Sequence, residues 1–349
     1  MITQLTLQSF RSYAFSHHDL FNLNVIIGKN GSGKTSLLEA ISMLHYTSGF
    51  LGAELSQMNR NLQETFLLGY TFNKNDNETQ IGIENRNGSK KTTIDGEEIK
   101  TADLTRYVGF KVLYMIPQDE FIFSSGTSEK RNFFDRITTF FVPDHQTYLS
   151  EYKKQTSERM KVLYFNQKSH DSWLNAIELR LSELCGIIAS NRISVLSKVS
   201  PFLQNTKIQY HGEAETLLAA GTSSTECEKV MLAKFKNSRE GDKTSGRTNV
   251  GVGKTTFDVT VLHKSIVCEI ASSGEQKMAL FDISASCLEY LSSKNSLGIF
   301  LIDEVISKVD SGNRAKIFDR LSKLNAQIFM TGTEQEHFDS LQDAHFINL

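Results

Sequence analysis

Apolar and polar residues alternate along Met1–Leu7, the two-residue period of a half-buried strand. Asn24-Val25-Ile26-Ile27 predicts a short buried strand that runs into a glycine-rich turn. The period then lengthens, with Leu37, Leu38, Ile41 and Leu44 spaced along one helix face. Strand, glycine turn and helix in that order open a parallel α/β sheet. From Phe66 to Asp119 the pattern predicts mostly strands, with turns at Asn73–Asn77 and Asn87-Gly88.

The pattern changes near Ser124. Between Gly126 and Asn205 helical spacing dominates: Phe133, Phe134, Ile137 and Phe141 share one face, and Ile177, Leu181, Leu184 and Ile188 another. Pro143 and Pro201 punctuate this stretch, which carries a net charge of +3 against −5 for the rest of the chain. It reads as a helical arm inserted into an α/β body; helices covering the same sheet are the alternative. Strand pattern returns at Thr206–Tyr210, a polar loop is predicted over Lys236–Thr248, and Phe257–Ile270 is strand-like. A helix from Glu275 to Leu291, a buried strand at Leu297–Ile302, a helix at Asn313–Leu324 and a strand at Gln327–Met330 complete the chain. The expected division is an N-terminal part of the α/β body (1–125), a helical arm (126–205) and a C-terminal part of that body (206–349).

At ~150 residues per domain, 349 residues suit two domains or one that carries an insertion. A hydrophobic share of 39% and a charged share of 22% exclude a disordered or fibrous chain. No stretch approaches the ~20 apolar residues of a membrane span, so no membrane association is expected. Cys185, Cys227, Cys268 and Cys287 are scattered without a Cys-x-x-Cys, and the N-terminus lacks the basic start and apolar run of a signal peptide, so a cytoplasmic setting is expected. A net charge of −2 excludes a strongly basic coat for wrapping nucleic acid but allows a local basic patch.

Gly28-Lys29-Asn30-Gly31-Ser32-Gly33-Lys34-Thr35 matches G-x-x-x-x-G-K-[ST] between an apolar strand and an amphipathic helix. Its glycines let successive N–H groups turn inward toward phosphate, and the helix N-terminus adds partial positive charge. Asn30, Gly31, Gly33, Lys34, Thr35 and Ser36 are the expected ATP cradle, with Lys34 on the β- and γ-phosphates and Thr35 on Mg²⁺. Gly251-Val252-Gly253-Lys254-Thr255-Thr256 imitates the motif, but Thr248 stands where its first glycine belongs and a strand pattern follows. It is read as a turn. The apolar run Leu297–Ile302 ends in Asp303-Glu304: Asp303 would hold the metal and Glu304 would polarise the attacking water as general base.

Ser272-Ser273-Gly274-Glu275-Gln276 resembles the signature motif of ABC-type ATPases and lies directly upstream of the acidic strand. In isolation a serine followed by Glu275 is an ordinary capping pattern, and the place upstream of the acidic strand turns the reading toward the signature. The resemblance implies that Ser272, Gly274 and Glu275 meet the γ-phosphate of a nucleotide held by a second subunit. It also implies that Asp310 lies in a dimer-facing D-loop, and that Gln118, in Pro117-Gln118-Asp119, contacts Mg²⁺ or the attacking water. Transporter ATPase subunits resemble this motif order but place the signature much closer to the P-loop than the 238 positions from Lys34 to Ser272.

The chain resembles the RecF family of bacterial DNA replication and repair ATPases, in the SMC-like branch of the ABC type. The resemblance rests on Phe10-Arg11-Ser12-Tyr13, the P-loop with Ser36-Leu37-Leu38-Glu39-Ala40-Ile41, Lys130-Arg131-Asn132-Phe133-Phe134-Asp135-Arg136, Glu158-Arg159, the signature, Leu301-Ile302-Asp303-Glu304 and Met330-Thr331-Gly332-Thr333. It implies an ATP-dependent homodimer that binds gapped or junction DNA and, with recombination mediator partners, helps load RecA. Arg11 and Tyr13 would lie near the adenine, or simply end a strand. Lys130, Arg131 and Arg136, with Lys153, Lys154, Arg159 and Lys161, form a candidate phosphate-binding face or an ordinary solvated one. Two family features are altered: Thr47-Ser48-Gly49-Phe50-Leu51-Gly52 lacks the usual arginine, and Gly251–Thr256 replaces a Gly-Pro-His-Arg-Asp-Asp stretch. The rival readings are a nucleotide-gated structural clamp with negligible turnover and a transporter ATPase subunit.

Overall fold

The computed structural model describes residues 1–60, 63–74, 77–165, 171–306 and 309–349. In chain order the elements are β1 (Ile2–Phe10), β2 (Tyr13–Asp19), β3 (Leu23–Ile27), α1 (Lys34–Ser42), β4 (Thr65–Lys74), β5 (Asn77–Arg86), β6 (Ser89–Ile94), β7 (Glu97–Ile99), α2 (Thr101–Val108) and β8 (Lys111–Met115). There follow α3 (Thr127–Phe141), α4 (His145–Phe165), α5 (Asp171–Val199), β9 (Thr206–His211), α6 (Glu213–Ala219), α7 (Ser224–Asn237), α8 (Arg239–Ser245), β10 (Thr256–Val261) and β11 (Ile266–Val267). The chain closes with α9 (Ser273–Ser293), β12 (Gly298–Ile302), α10 (Ser311–Ser322), β13 (Ala326–Gly332) and β14 (His345–Asn348). The chain divides into two compact units, Met1–Glu120 with Ser284–Leu349, and Phe121–Ile283.

The first unit holds two sheets. One is parallel, ordered β14-β3-β13-β12-β8; the other is antiparallel, ordered β2-β1-β4-β5-β6-β7. All five residues of β12 are buried, as the unbroken apolar run of a central parallel strand requires. A single apolar cluster joins Leu5 and Phe10 of β1, Leu37, Leu38 and Ile41 of α1, Phe66 of β4, Leu301 of β12 and Phe329 of β13. The α1 face read from the sequence is therefore the face that packs. The predicted turn at Asn87-Gly88 joins β5 to β6, while residues 75–76 of the turn predicted at Asn73–Asn77 lie outside the described residues. Within the stretch read as mostly strand, α2 buries Leu104 and Val108, one helical turn apart.

The second unit combines α3–α8 with the antiparallel sheet β11-β10-β9. Residues 126–205 lie inside it, together with the sheet and the helices that follow. Leu181, Leu184 and Ile188 of α5 are wholly buried with Cys227, Met231 and Phe235 of α7. In α3, Phe140 rather than Phe141 is the fully buried ring. The polar stretch predicted as a loop over Lys236–Thr248 instead completes α7 and forms α8. Part of its polarity is buried: Asp242 accepts from Arg159 Nη1 at 2.7 Å and from Ser238 Oγ at 2.7 Å. Gly246, at φ 71°, ends the helix in the left-handed region.

Candidate nucleotide site

The glycine loop runs from β3 into α1 at the carboxyl edge of the parallel sheet, the usual place for ligands in such folds. Gly31 and Gly33 adopt φ values of 83° and 107°, which side chains resist. Lys34 is almost wholly buried. Its Nζ donates to the carbonyls of Gly28 at 2.7 Å and Lys29 at 3.1 Å, and pairs with Glu304 Oε1 at 3.1 Å.

Parallel pairing of β12 with β8 and β13 places the acidic pair beside this loop. Asp303 N donates to Met115 O at 2.9 Å, extending the β12–β8 ladder. Thr35 Oγ1 donates to Asp303 Oδ2 at 2.8 Å, and Thr331 Oγ1 donates to Asp303 Oδ1 at 2.7 Å. Burial raises the Asp303 carboxyl above the ordinary range; the hydrogen bonds from Thr331 and Thr35 oppose that rise. Glu304 is held at φ 52°, uncommon for a residue with a side chain, and its N–H donates to Thr331 Oγ1 at 2.8 Å.

The donor set fits Mg²⁺. Thr35 Oγ1 and Asp303 Oδ2 stand side by side at the loop, a hydroxyl and a carboxylate oxygen that would hold such an ion. Oxygen donors alone also suit that ion.

One cleft is lined by Asn30, Gly31, Gly33, Lys34, Thr35, Ser36, Gln118, Asp303 and Glu304. Gln118 is exposed, in the first turn of a 3₁₀ segment after β8. Arg11 is not among the lining residues. Its guanidinium binds Glu39 of α1 in a bidentate pair, at 2.7 and 2.8 Å. Ser12 and Leu51 also line the cleft, although neither is an expected ATP contact. Thr331 was also given no role there. Its signal was its place at the end of β13, beside the strand that carries Asp303.

Ser272, Gly274 and Glu275 belong to the second unit. Ser272 and Glu275 form a capping box at the start of α9: Ser272 Oγ and N donate to Glu275 Oε2 at 2.7 and 2.9 Å, and Glu275 N donates to Ser272 Oγ at 3.4 Å. Lys264 Nζ reaches Glu275 Oε1 at 2.7 Å. Asp310, in the first unit, is exposed and caps α10, where Oδ1 accepts from Asn313 N at 3.0 Å.

The expected cationic face is differently arranged. Arg159 is wholly buried; its donors reach Glu178 Oε1, Asp242 Oδ2, Thr248 Oγ1, Phe235 O and Ser238 Oγ. It is a structural hub, because a guanidinium enclosed by two carboxylates presents nothing to phosphate. Lys130 pairs with Glu269, and Arg131 donates to Thr255 O at 2.9 Å. Arg136 lies over the Phe133 ring, 5.0 Å from its centroid. Lys153, Lys154 and Lys161 are exposed on α4.

The family profile described as RecF/RecN/SMC N terminal domain matches residues 1–347. The chain is 30% identical over 344 residues to the DNA replication and repair protein RecF of Rickettsia bellii (strain RML369-C), covering 95% of this chain and 93% of that protein. It is 28% identical over 347 residues to the protein of the same name from Rickettsia conorii, covering 96% and 95%. Its fold matches the solved structure of the recombination mediator protein RecF-ATPrS in the RecFOR pathway with a TM-score of 0.84, at 21% identity, over 100% of this chain and 96% of that one. The glycine loop, the acidic strand end and the match over nearly the whole length agree, and the chain belongs to the RecF/RecN/SMC N-terminal domain family, in its RecF branch.

Proposed function

We propose that this chain is an ATP-hydrolysing, DNA-binding protein of replication and recombinational repair. ATP gates its dimerisation on gapped or junction DNA, and hydrolysis releases it. The observation that carries the reading is the contact between Thr35 Oγ1 and Asp303 Oδ2 at 2.8 Å, which joins the glycine loop to the acidic strand end. The names of the Rickettsia relatives support the setting in replication and repair; recombination mediator partners and help in loading RecA are what the family resemblance of the motifs adds. A cytoplasmic location follows from that role.

In this reading the N–H groups of the loop from Asn30 to Ser36 and the Lys34 ammonium hold the phosphates. Thr35, Asp303 and Gln118 would hold Mg²⁺, which when bound neutralises charge developing on the phosphates. Glu304 takes the proton from the attacking water as the bond to the γ-phosphorus forms and ADP leaves. Ser272, Gly274, Glu275 and Asp310 serve the nucleotide of a second copy. DNA phosphates are met first by the exposed Lys153 and Lys154. Lys130 and Arg131 would join only by releasing Glu269 and Thr255, and Arg136 by leaving Phe133. A second reading, a nucleotide-gated clamp of the SMC-like class with negligible turnover, is favoured by the Lys34–Glu304 pair, which engages the base.

The test is phosphate release, oligomeric state and DNA binding with ATP, ADP or no nucleotide, on gapped and fully duplex DNA. Turnover with ATP-dependent dimers that prefer gapped DNA is expected, and affinity should fall as salt rises. ATP-dependent dimers without turnover would select the clamp. Nucleotide-independent DNA binding would overturn both readings.

A further inference from the structure

We propose that Arg11 is a positioning residue for the nucleotide cleft: through its pair with Glu39 it fixes the β1–β2 hairpin tip, and Ser12 and Tyr13, rather than Arg11, close over the glycine loop. The inference rests on the reading that the cleft holds ATP.

The first support is that the guanidinium is already engaged. Nε and Nη2 donate to the two Glu39 oxygens at 2.7 and 2.8 Å, and Nη1 donates to Gln57 O at 3.2 Å. Glu39 has no exposed side-chain surface and lies five residues after Lys34 on α1. Gly49, at φ 63°, closes over it: a Cβ there would stand 2.7 Å from Glu39 Cγ. If Arg11 swung out to a ligand it would abandon a buried carboxylate, which is strongly unfavourable.

The second support is the hairpin tip. Phe10 pairs with Tyr13, so Arg11 and Ser12 alone make the link. Arg11 sits at φ 51°, and its N–H donates to Met58 O at 2.7 Å. A bulky residue keeps that backbone conformation where its surroundings over-determine it. The bidentate pair supplies that restraint and ties the tip to α1.

The third support is what the tip touches. Tyr13 Oη donates to Gly33 O at 3.1 Å, and burial pushes its phenol up to about 12, so it stays a donor at neutral pH. A Cβ at Gly33 would stand 2.8 Å from Ser12 Oγ. The last glycine before Lys34 is thus pressed against Ser12 and Tyr13, and Ser12 itself lines the cleft. The pair controls the shape of the phosphate cradle, not a contact with the base.

ATP and inorganic tripolyphosphate, which has no base, separate these roles. Equilibrium affinities for both are measured on the full chain for wild type, Arg11→Lys, Glu39→Gln and the double variant, with melting temperatures. Each single variant is expected to weaken both ligands by the same factor, about tenfold, and the double variant no further, as for one coupled pair. Loss of ATP affinity alone in Arg11→Lys, with tripolyphosphate unchanged, would mean that Arg11 contacts the base and would overturn the proposal. Lower melting temperatures with unchanged affinities would also overturn it, leaving the pair as fold support only. Should the pair variants fail to fold, Tyr13→Phe removes only the bond to Gly33. It is expected to weaken both ligands severalfold, and unchanged affinities would refute the proposal. If wild type binds neither ligand, the reading of the cleft as an ATP site fails, and this inference with it.

Discussion

Lys34 Nζ lies 3.1 Å from Glu304 Oε1 while also donating to the carbonyls of Gly28 and Lys29, so the three protons of the ammonium face three acceptors. A phosphate entering the loop competes for them. In the proposed mechanism, transfer of Lys34 from Glu304 to phosphate would break that ion pair and so couple the base to nucleotide binding.

Glu304→Gln should therefore bind ATP but hydrolyse it at least ~100-fold more slowly, the size of a lost general base, and accumulate as a dimer. Its affinity for ADP should rise, because the neutral amide holds Lys34 less strongly. Phosphate release and a fluorescent-ADP titration read the two effects. Unchanged turnover would place the base elsewhere.

Lys34→Arg should lose ATP binding by at least about tenfold. The Lys34 side chain is almost wholly buried, with the ammonium between two loop carbonyls, and a planar guanidinium does not fit a place shaped for a compact charge. Isothermal titration with ATP checks this, and a variant that dimerises and hydrolyses like wild type would contradict it.

Two changes at Ser272 separate its roles. Ser272→Ala removes the capping hydroxyl and should cost about 1 kcal/mol of stability, read by chemical denaturation. Ser272→Arg should keep ATP binding by the monomer but abolish ATP-induced dimerisation, read by sedimentation. Equal loss of monomer ATP affinity in Ser272→Arg and Lys34→Arg would show that Ser272 does not act across a dimer.

The Glu275 carboxyl is held at about 2, below its ordinary 4.5, by hydrogen bonds from Lys264 and then Ser272. A depressed folded value stabilises the native state above the ordinary value, and that contribution is lost as pH falls from about 4.5 toward about 2. Carboxyl-detected NMR should show Glu275 titrating near the lower value, and Lys264→Ala should move it upward. A midpoint near 4.5 in wild type would exclude the capping box in solution.

Arg159→Met should destabilise the second unit by about 3–5 kcal/mol, because Glu178 and Asp242 lose the buried charge between them. DNA affinity measured below the unfolding transition should stay unchanged. A fall in DNA affinity with the fold intact would restore Arg159 to the binding face.

What the sequence determined by itself was local. The glycine loop, the face of α1, the apolar run of β12 and the Ser272–Glu275 box depend on residues within a few positions of each other, and backbone conformation and helix periodicity act at that range. The family resemblance was legible for the same reason, through short motifs in a fixed order. Only the tertiary structure decided which distant residues meet. Thr35 and Asp303 are 268 positions apart, and parallel strand pairing joins them. The same pairing brings in Thr331, which stands in the motif Met330-Thr331-Gly332-Thr333 but shows no role there until it meets Asp303. Charge was the least legible property. Arg159 and Lys153 look alike in the sequence, yet one is enclosed by carboxylates from α5 and α8 and the other faces solvent. The polar run that becomes α8 looked like a loop because its partner, Arg159, lies 83 positions from Asp242. A buried ion pair is formed by two elements that pack together, and neither alone carries the signal.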